Sequence, residues 1–318
     1  MQSLIHHYAK HPSFASIKQA LESQASFQLS IPDGDFSLFV LAMLRSLTQR
    51  PFVVVHHNLF QAEKGYEKSL NVLHREGFYP HDEFITLDQI SLNDGLKTER
   101  LNTLYKSLQG DLNTIITHPV AIHQWLHPKN VLEGFIFPLK TGDEIPMNEV
   151  LSRLVLYGYH PVEHVENVGE FSRRGSIIDI YQIGFEHPVR IDFFDDEIDS
   201  IRVFNAITQR SIKTLETITL IPNREMVLND HDLETIETSI RKKMSALSLS
   251  GEEKETVESD LLALASEEGD ALKRYLPELE GSAQTLLDVL DDPLLIYINP
   301  SESSRNIETL KKEIFNHL

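Results

Sequence analysis

The sequence predicts an α/β protein whose parallel sheet is assembled from two stretches of chain, with a mainly β unit of α+β type inserted between them. Three observations predict it. Strand and helix signals alternate through the first third, closely spaced β signals with turn residues fill the middle, and a late apolar run, Leu294–Ile298, needs a sheet to join. A chain of 318 residues exceeds one ordinary domain. The expected boundaries are 1–132 for the first half, 133–218 for the insert and 219–318 for the second half.

Each element has its own signal. Ser13–Leu21 has helical spacing, and Phe36–Leu47 places Phe36, Phe39, Val40, Met43, Leu44 and Leu47 on one stripe until Arg50-Pro51 stops it. Phe52–Val55 is a short, continuous apolar run, as a strand buried on both faces requires. A polar helix is expected from Leu59 to about Glu76, a strand at Phe84–Leu87, a helix over Thr98–Leu108, a strand at Thr114–Thr117 and a short helix over Val120–Leu126. In the insert, a strand at Phe135–Phe137 precedes a helix over Met147–Tyr157 and β runs around Ile177, Val189 and Ile201. Gly184, His187-Pro188 and Asp195-Asp196 supply the turns of an antiparallel meander beside that helix. The last third carries acidic helices over Asp230–Leu247 and Glu252–Ala265, the late run Leu294–Ile298 as a buried strand, and a closing helix over Ser303–Phe315.

Composition narrows the function classes. Apolar content of 41% and charged content of 24% are those of a globular chain rather than a disordered one. The absence of cysteine removes disulfides, thiolate metal sites and cysteine nucleophiles together. No signal peptide and no membrane-length apolar run is present, so the expected compartment is the cytoplasm. A net charge of -19 repels phosphate backbones on average, which argues against DNA binding by the whole surface and makes a local basic patch conspicuous.

Catalytic motifs are weak. Where a phosphate-binding loop would lie, the chain reads Ser30-Ile31-Pro32-Asp33-Gly34-Asp35-Phe36-Ser37, with one glycine, no lysine and two carboxylates that would oppose ATP. Gly95-Leu96-Lys97-Thr98 lacks the upstream glycine, and Asp196-Glu197-Ile198-Asp199 imitates a magnesium-binding strand end but reads better as a charged hairpin turn. Among the 15 histidines, His6, His7 and His11, the pair His56-His57, and His118, His123 and His127 cluster without a metal-ligand frame. The expectation is no catalytic residue, no cofactor and no metal.

The informative surface lies in the middle. On the strand Val189–Phe194, side chains alternate, so Val189, Ile191 and Phe193 face the core while Arg190, Asp192 and Phe194 face outward. Arg173 and Arg174 stand where the preceding strand is expected to begin, and with Arg190 and Arg202 they form the best basic patch in an acidic chain. Residues alone leave two readings open: a docking surface, or a sheet face with Arg–Asp pairs and Phe194 beneath a helix.

The run Gly169–Ile180, with Glu170-Phe171-Ser172, Arg174-Gly175 and Ile177-Ile178-Asp179-Ile180, continues through Pro188–Asp199 to Ile201-Arg202-Val203-Phe204 and Thr208-Gln209-Arg210-Ser211. This pattern resembles the segment shared by UvrB and the Mfd family of transcription-repair coupling factors, and is closer to the Mfd version. Glu99–Tyr105 resembles a helix of the same family, and the resemblance covers essentially the whole chain, most strongly in the middle.

The resemblance implies a degenerate RecA-like domain in two halves, similar to UvrB domains 1a and 1b, with an inserted UvrB domain 2-like, UvrA-binding unit. It implies UvrA-contacting roles for Arg174, Arg190 and Phe194, with Arg173 and Arg202 in support. The implied function is recruitment of UvrA to stalled RNA polymerase in transcription-coupled nucleotide excision repair, by a docking module that is not itself an enzyme. The family's ATP-dependent DNA translocase, and its contacts to RNA polymerase and DNA, would lie in C-terminal domains beyond Leu318, so the chain reads as a fragment. Two alternatives stand beside this: a UvrB-like nucleotide- or damaged-DNA-binding enzyme module, and an autoinhibitory clamp on the translocase.

Overall fold

A computed structural model describes residues 12–23, 26–30, 36–70, 72–82, 94–247, 250–265, 275–279 and 283–317. In chain order the elements are α1 (Pro12–Glu22), α2 (Phe36–Arg45), β1 (Phe52–Val55), α3 (Leu59–Ser69), β2 (Glu76–Tyr79), α4 (Asp94–Leu108), β3 (Thr114–Thr117), α5 (Pro119–Ile122), α6 (Lys129–Gly134), β4 (Phe137–Lys140) and α7 (Met147–Leu156). There follow β5 (His160–Pro161), β6 (Glu170–Arg174), β7 (Ile177–Ile180), β8 (Val189–Phe194), β9 (Glu197–Phe204), β10 (Ser211–Leu215) and β11 (Thr217–Leu220). The chain ends with α8 (Asp230–Ala246), α9 (Gly251–Ala265), α10 (Leu286–Val289), β12 (Leu294–Tyr297) and α11 (Pro300–His317). It divides into two compact units: Met1–Leu92 with Lys106–Ile122 and Leu290–Leu318, and Asn93–Tyr105 with His123–Val289.

The first unit holds a parallel sheet of order β12-β1-β3-β2. Phe52–Val55 and Thr114–Thr117 are buried throughout because central parallel strands have no solvent face. The late apolar run forms β12, paired with β1 from Phe52↔Leu294 to Val55↔Tyr297, so the sheet takes strands from both ends of the chain. It is not buried as expected, because it lies at the sheet edge, where Leu295 and Tyr297 are exposed. Val40, Met43 and Leu44 of α2 pack in one core with Phe52, Val54, Phe78 and Ile116. Phe36, expected on the same stripe, is exposed.

The structure departs from the sequence reading after α3. That helix ends at Ser69 rather than near Glu76. His74 and Arg75 both take positive φ, 54° and 77°, which breaks the helical path and turns the chain into β2. The Arg75 conformation is held by its guanidinium, which donates to Asp111 O at 2.8 Å and to Gly110 O, and by Asn113 N donating to Arg75 O at 2.9 Å. The expected strand at Phe84–Leu87 lies outside the described residues, as do His6, His7, His11 and the loop residues Ile31–Asp35.

The second unit is built on a sheet of order β10-β9-β8-β7-β6-β5, antiparallel except for the β5–β6 pair, beside a β11-β4 ribbon. On its inner face Ile178, Ile191 and Ile201 sit side by side in the register. Met147, Val150 and Leu154 of α7, at helical spacing, pack in the same core. Fully burying side chains of this size contributes roughly 1.5–3 kcal/mol each, which ties α7 to the sheet. The short helix expected over Val120–Leu126 stops at Ile122, and Leu126 instead exchanges backbone hydrogen bonds with Gln284. The strand expected at Phe135–Phe137 begins only at Phe137, because the Phe135 N–H still closes the end of α6 on Leu132 O.

One ionic pair is sealed inside this unit. Arg100 on α4 donates from Nε and Nη2 to the two carboxylate oxygens of Glu225 at 2.5 and 2.8 Å, with both side chains 2% exposed. The acidic helices α8 and α9 bury Ile236, Ile240 and Leu261 with Met226 and Leu276 in a smaller core, and α8 starts on a reciprocal capping box between Asn229 and Asp232. No described helix is long and apolar enough to cross a membrane.

Candidate functional site

The outer face of the second unit's main sheet carries the basic patch. Cross-strand pairing puts Ser172, Asp179, Arg190 and Arg202 in one row across β6, β7, β8 and β9. The next row holds Arg174, Ile177, Asp192 and Ser200. Directly opposed residues point to the same side of a sheet, so Arg174, Arg190 and Arg202 share the outward face. Arg173 does not. It pairs with Ile178, whose side chain is core-facing, and so projects to the opposite side of the sheet, exposed because β6 ends there. Arg173 and Arg174 close β6 rather than opening the strand at Ile177. Gly175, at φ +62°, makes the return into β7 in a backbone conformation that disfavours other residues.

Asp179 organises the arginines. Arg190 grips it from two sides, Nε to Oδ1 at 2.7 Å and Nη2 to Oδ2 at 2.8 Å, and Arg174 Nη2 reaches Oδ2 at 2.5 Å. The Asp179 side chain is 2% exposed, against 17% for Arg190 and 42% for Arg174. A carboxylate this deep in a β-strand is stable only because two guanidinium groups satisfy it. The same hydrogen bond to Asp179, stronger than the opposing effect of burial, raises the pKa of Arg190. The Arg190 guanidinium also lies over the ring of Phe204, 4.4 Å from its centroid. Arg202 takes a separate partner, Asp192, which also accepts from Ser200 Oγ at 3.0 Å.

Phe194 ends the outward set of β8, opposite Glu197, and is 71% exposed. A register shift between Asp192 and Phe193 precedes it. The turn that follows contains Asp195 at φ +55°, so Asp195-Asp196 is a hairpin corner and Glu197 already belongs to β9. The imitation of a magnesium-binding strand end is therefore a turn between antiparallel strands. Gly95-Leu96-Lys97-Thr98 lies in the first turns of α4. Among the described residues, no cluster of three or more His, Asp or Glu side chains is placed to hold a metal ion.

Sequence reasoning missed two side chains of this site. Asp179 had a signal: a carboxylate inside the apolar strand Ile177-Ile178-Asp179-Ile180 must find cations. Gln209 had none, since its role depends on how the β9–β10 loop folds back. Its Oε1 accepts from Arg190 Nη2 at 2.8 Å and lies 3.5 Å from Arg174 Nη2.

Comparison with known proteins places this face inside a recognised region. Residues 137–226, which contain every arginine of this face, match the model of the UvrB interaction domain. The chain is 32% identical over 289 residues to a transcription-repair-coupling factor of Bacillus subtilis (strain 168), covering 87% of this chain and 24% of that protein. It is 29% identical to the corresponding factor of Staphylococcus haemolyticus over 84% of the chain and 24% of that protein, and 29% identical to that of Myxococcus xanthus over 74% and 20%. The chain thus spans about a quarter of the length of the curated relatives it matches.

Proposed function

Because the chain belongs to the transcription-repair-coupling factor family and carries its UvrB interaction domain, we propose that it is a non-catalytic docking module that recruits the UvrA excision-repair protein to stalled RNA polymerase. Arg174 and Arg190 supply charge-assisted hydrogen bonds to carboxylates of the partner, and Phe194 is the apolar anchor that loses water on docking. Arg202 supports the face through Asp192, while Arg173 projects from its other side. RNA polymerase and DNA are engaged through parts of the family's proteins outside this chain, as is ATP-driven translocation, and the setting is the cytoplasm.

The observation that carries the proposal is a large aromatic ring left 71% exposed at the end of a strand that also presents Arg190. Folding gains nothing from that exposure, whereas burial of the ring by a partner removes apolar surface from water. The non-catalytic part rests on the Ser30–Ser37 stretch, which has no lysine and a single glycine where a triphosphate would be gripped.

The direct test is capture of purified UvrA by the wild-type chain and by an Arg174→Ala/Arg190→Ala variant. The proposal expects capture by the first and a loss of at least about tenfold in the second, since truncated hot-spot arginines typically cost more than 1 kcal/mol each. Equal capture by both chains refutes the assignment of the face. ATP turnover by this chain would favour the UvrB-like enzyme reading instead.

A further inference from the structure

Within the arginine cluster of the outward face, the cations outnumber the carboxylates they contact. Three guanidinium groups, Arg174, Arg190 and Arg202, are held by two carboxylates, Asp179 and Asp192. Asp192 is matched by Arg202, so the uncompensated positive charge lies between Arg174 and Arg190, which share Asp179. What meets their remaining donors is a neutral atom, Gln209 Oε1.

The loop between β9 and β10 is folded to put that oxygen there. Asn205 Oδ1 accepts from the Ile207 and Thr208 N–H groups at 3.1 and 2.8 Å, and Gln209 N donates to Asn205 O at 2.8 Å. Gln209 itself sits at φ +59°. Its Nε2 donates to Ala206 O at 2.7 Å, which turns the amide so that oxygen, not nitrogen, faces the arginines. Two positions earlier, Ile207 is 93% exposed on the same loop.

We infer that Gln209 Oε1 occupies the seat of a partner carboxylate: on docking, an Asp or Glu side chain of the partner displaces the glutamine amide from Arg190 and Arg174, with Ile207 beside it as a second apolar contact. The exchange is favourable because the guanidinium donors then meet an acceptor that carries a full negative charge, which cancels the excess charge, rather than a neutral amide oxygen. The inference rests on the docking role proposed above and adds where, and by what chemistry, the partner's acid is received. A glutamate at position 209 would bring a negative charge to the seat from within, with nearly the same shape, while giving up the hydrogen bond from Gln209 Nε2 to Ala206 O. A glycine would keep the left-handed backbone and leave the seat open.

The experiment compares wild type, Gln209→Glu, Gln209→Gly and Arg190→Ala by titration with UvrA and by thermal melting at low and high salt. The Tm of Gln209→Glu relative to wild type is expected to fall as salt rises, since the new attraction to Arg190 and Arg174 is screened, and the variant is expected to bind UvrA at least about tenfold more weakly because like charges then meet across the interface. Gln209→Gly is expected to bind UvrA about threefold more tightly than wild type, because docking no longer has to break the glutamine's bond to Arg190; binding weaker than wild type would overturn the inference. If Gln209→Glu binds as wild type does while Arg190→Ala fails, the docking face stands and this inference is overturned. If neither variant changes UvrA binding, the docking face itself is wrong. The melting comparison then still decides the charge argument, because a Tm difference between Gln209→Glu and wild type that does not change with salt means no uncompensated charge is present.

Discussion

Replacing Asp179 with asparagine keeps the shape of the side chain and removes one negative charge from beneath two guanidinium groups. Asp179 accepts three charge-assisted hydrogen bonds, two from Arg190 and one from Arg174. Breaking a buried ion pair by removing one partner costs roughly 3–5 kcal/mol when the charge left behind is sealed from water. Here the groups left behind are the arginines, 17% and 42% exposed, so water recovers part of the loss. Discounted for that screening, Asp179→Asn costs about 2–3 kcal/mol. For a unit of about 180 residues, each kcal/mol shifts Tm by roughly 2–4 °C, so the second unit should melt about 5–10 °C lower. Calorimetry on wild type and variant, at equal salt, is the assay. A Tm within about 1 °C of wild type, on the same size scaling, would refute the claim that Asp179 holds the arginines in place.

Other outcomes follow from the same interactions. Arg100→Met leaves the Glu225 carboxylate buried without its guanidinium, and should destabilise the second unit by about 3 kcal/mol or more, read as a lower denaturant midpoint. Burial lowers the pKa of His127 to about 4, with Asp232 opposing the shift only in part. The unfolded chain, with an ordinary histidine pKa near 6.5, takes up its proton first as pH falls. The contribution of His127 is therefore intact above about pH 6.5 and is lost as pH drops toward about 4, at up to about 1.4 kcal/mol per pH unit. Urea unfolding of wild type and His127→Gln at several pH values in that window checks this, and parallel slopes for the two chains would contradict it.

Much of the site could be read from the residues because a β-strand has period two. Val189, Ile191 and Phe193 had to face one way, which sends Arg190, Asp192 and Phe194 the other, and the structure keeps that division. The apolar run at Phe52–Val55 likewise marks a buried strand, whereas Leu294–Ile298 marks a strand of the sheet but not its edge position, which leaves Leu295 and Tyr297 exposed. What the sequence could not show depends on contacts far apart along the chain. Arg174 reaches Gln209 across 35 positions and Arg100 reaches Glu225 across 125, and no local pattern marks either pair. Arg173 was grouped with Arg174 by adjacency, but adjacent strand residues point to opposite faces once the strand is known to run through both of them. The shift of β2 was hidden for another reason. His74 and Arg75 are unremarkable helix residues by propensity, yet take left-handed backbone in a turn stabilised by Gly110, Asp111 and Asn113.

The measurement closest to the central claim is the affinity of UvrA for the Phe194→Ala chain. Phe194 is 71% exposed and sits outside the core, so the fold should tolerate the change. A phenylalanine side chain buries roughly 200 Å² when fully covered. At about 25 cal/mol per Å² the exposed share amounts to about 3.5 kcal/mol before alanine's own contact is subtracted. The account predicts a loss of about 2 kcal/mol, close to thirtyfold in Kd, with an unchanged melting curve. A Phe194→Ala chain that melts like wild type and binds UvrA within about threefold of it, a difference below 1 kcal/mol, would contradict the docking role.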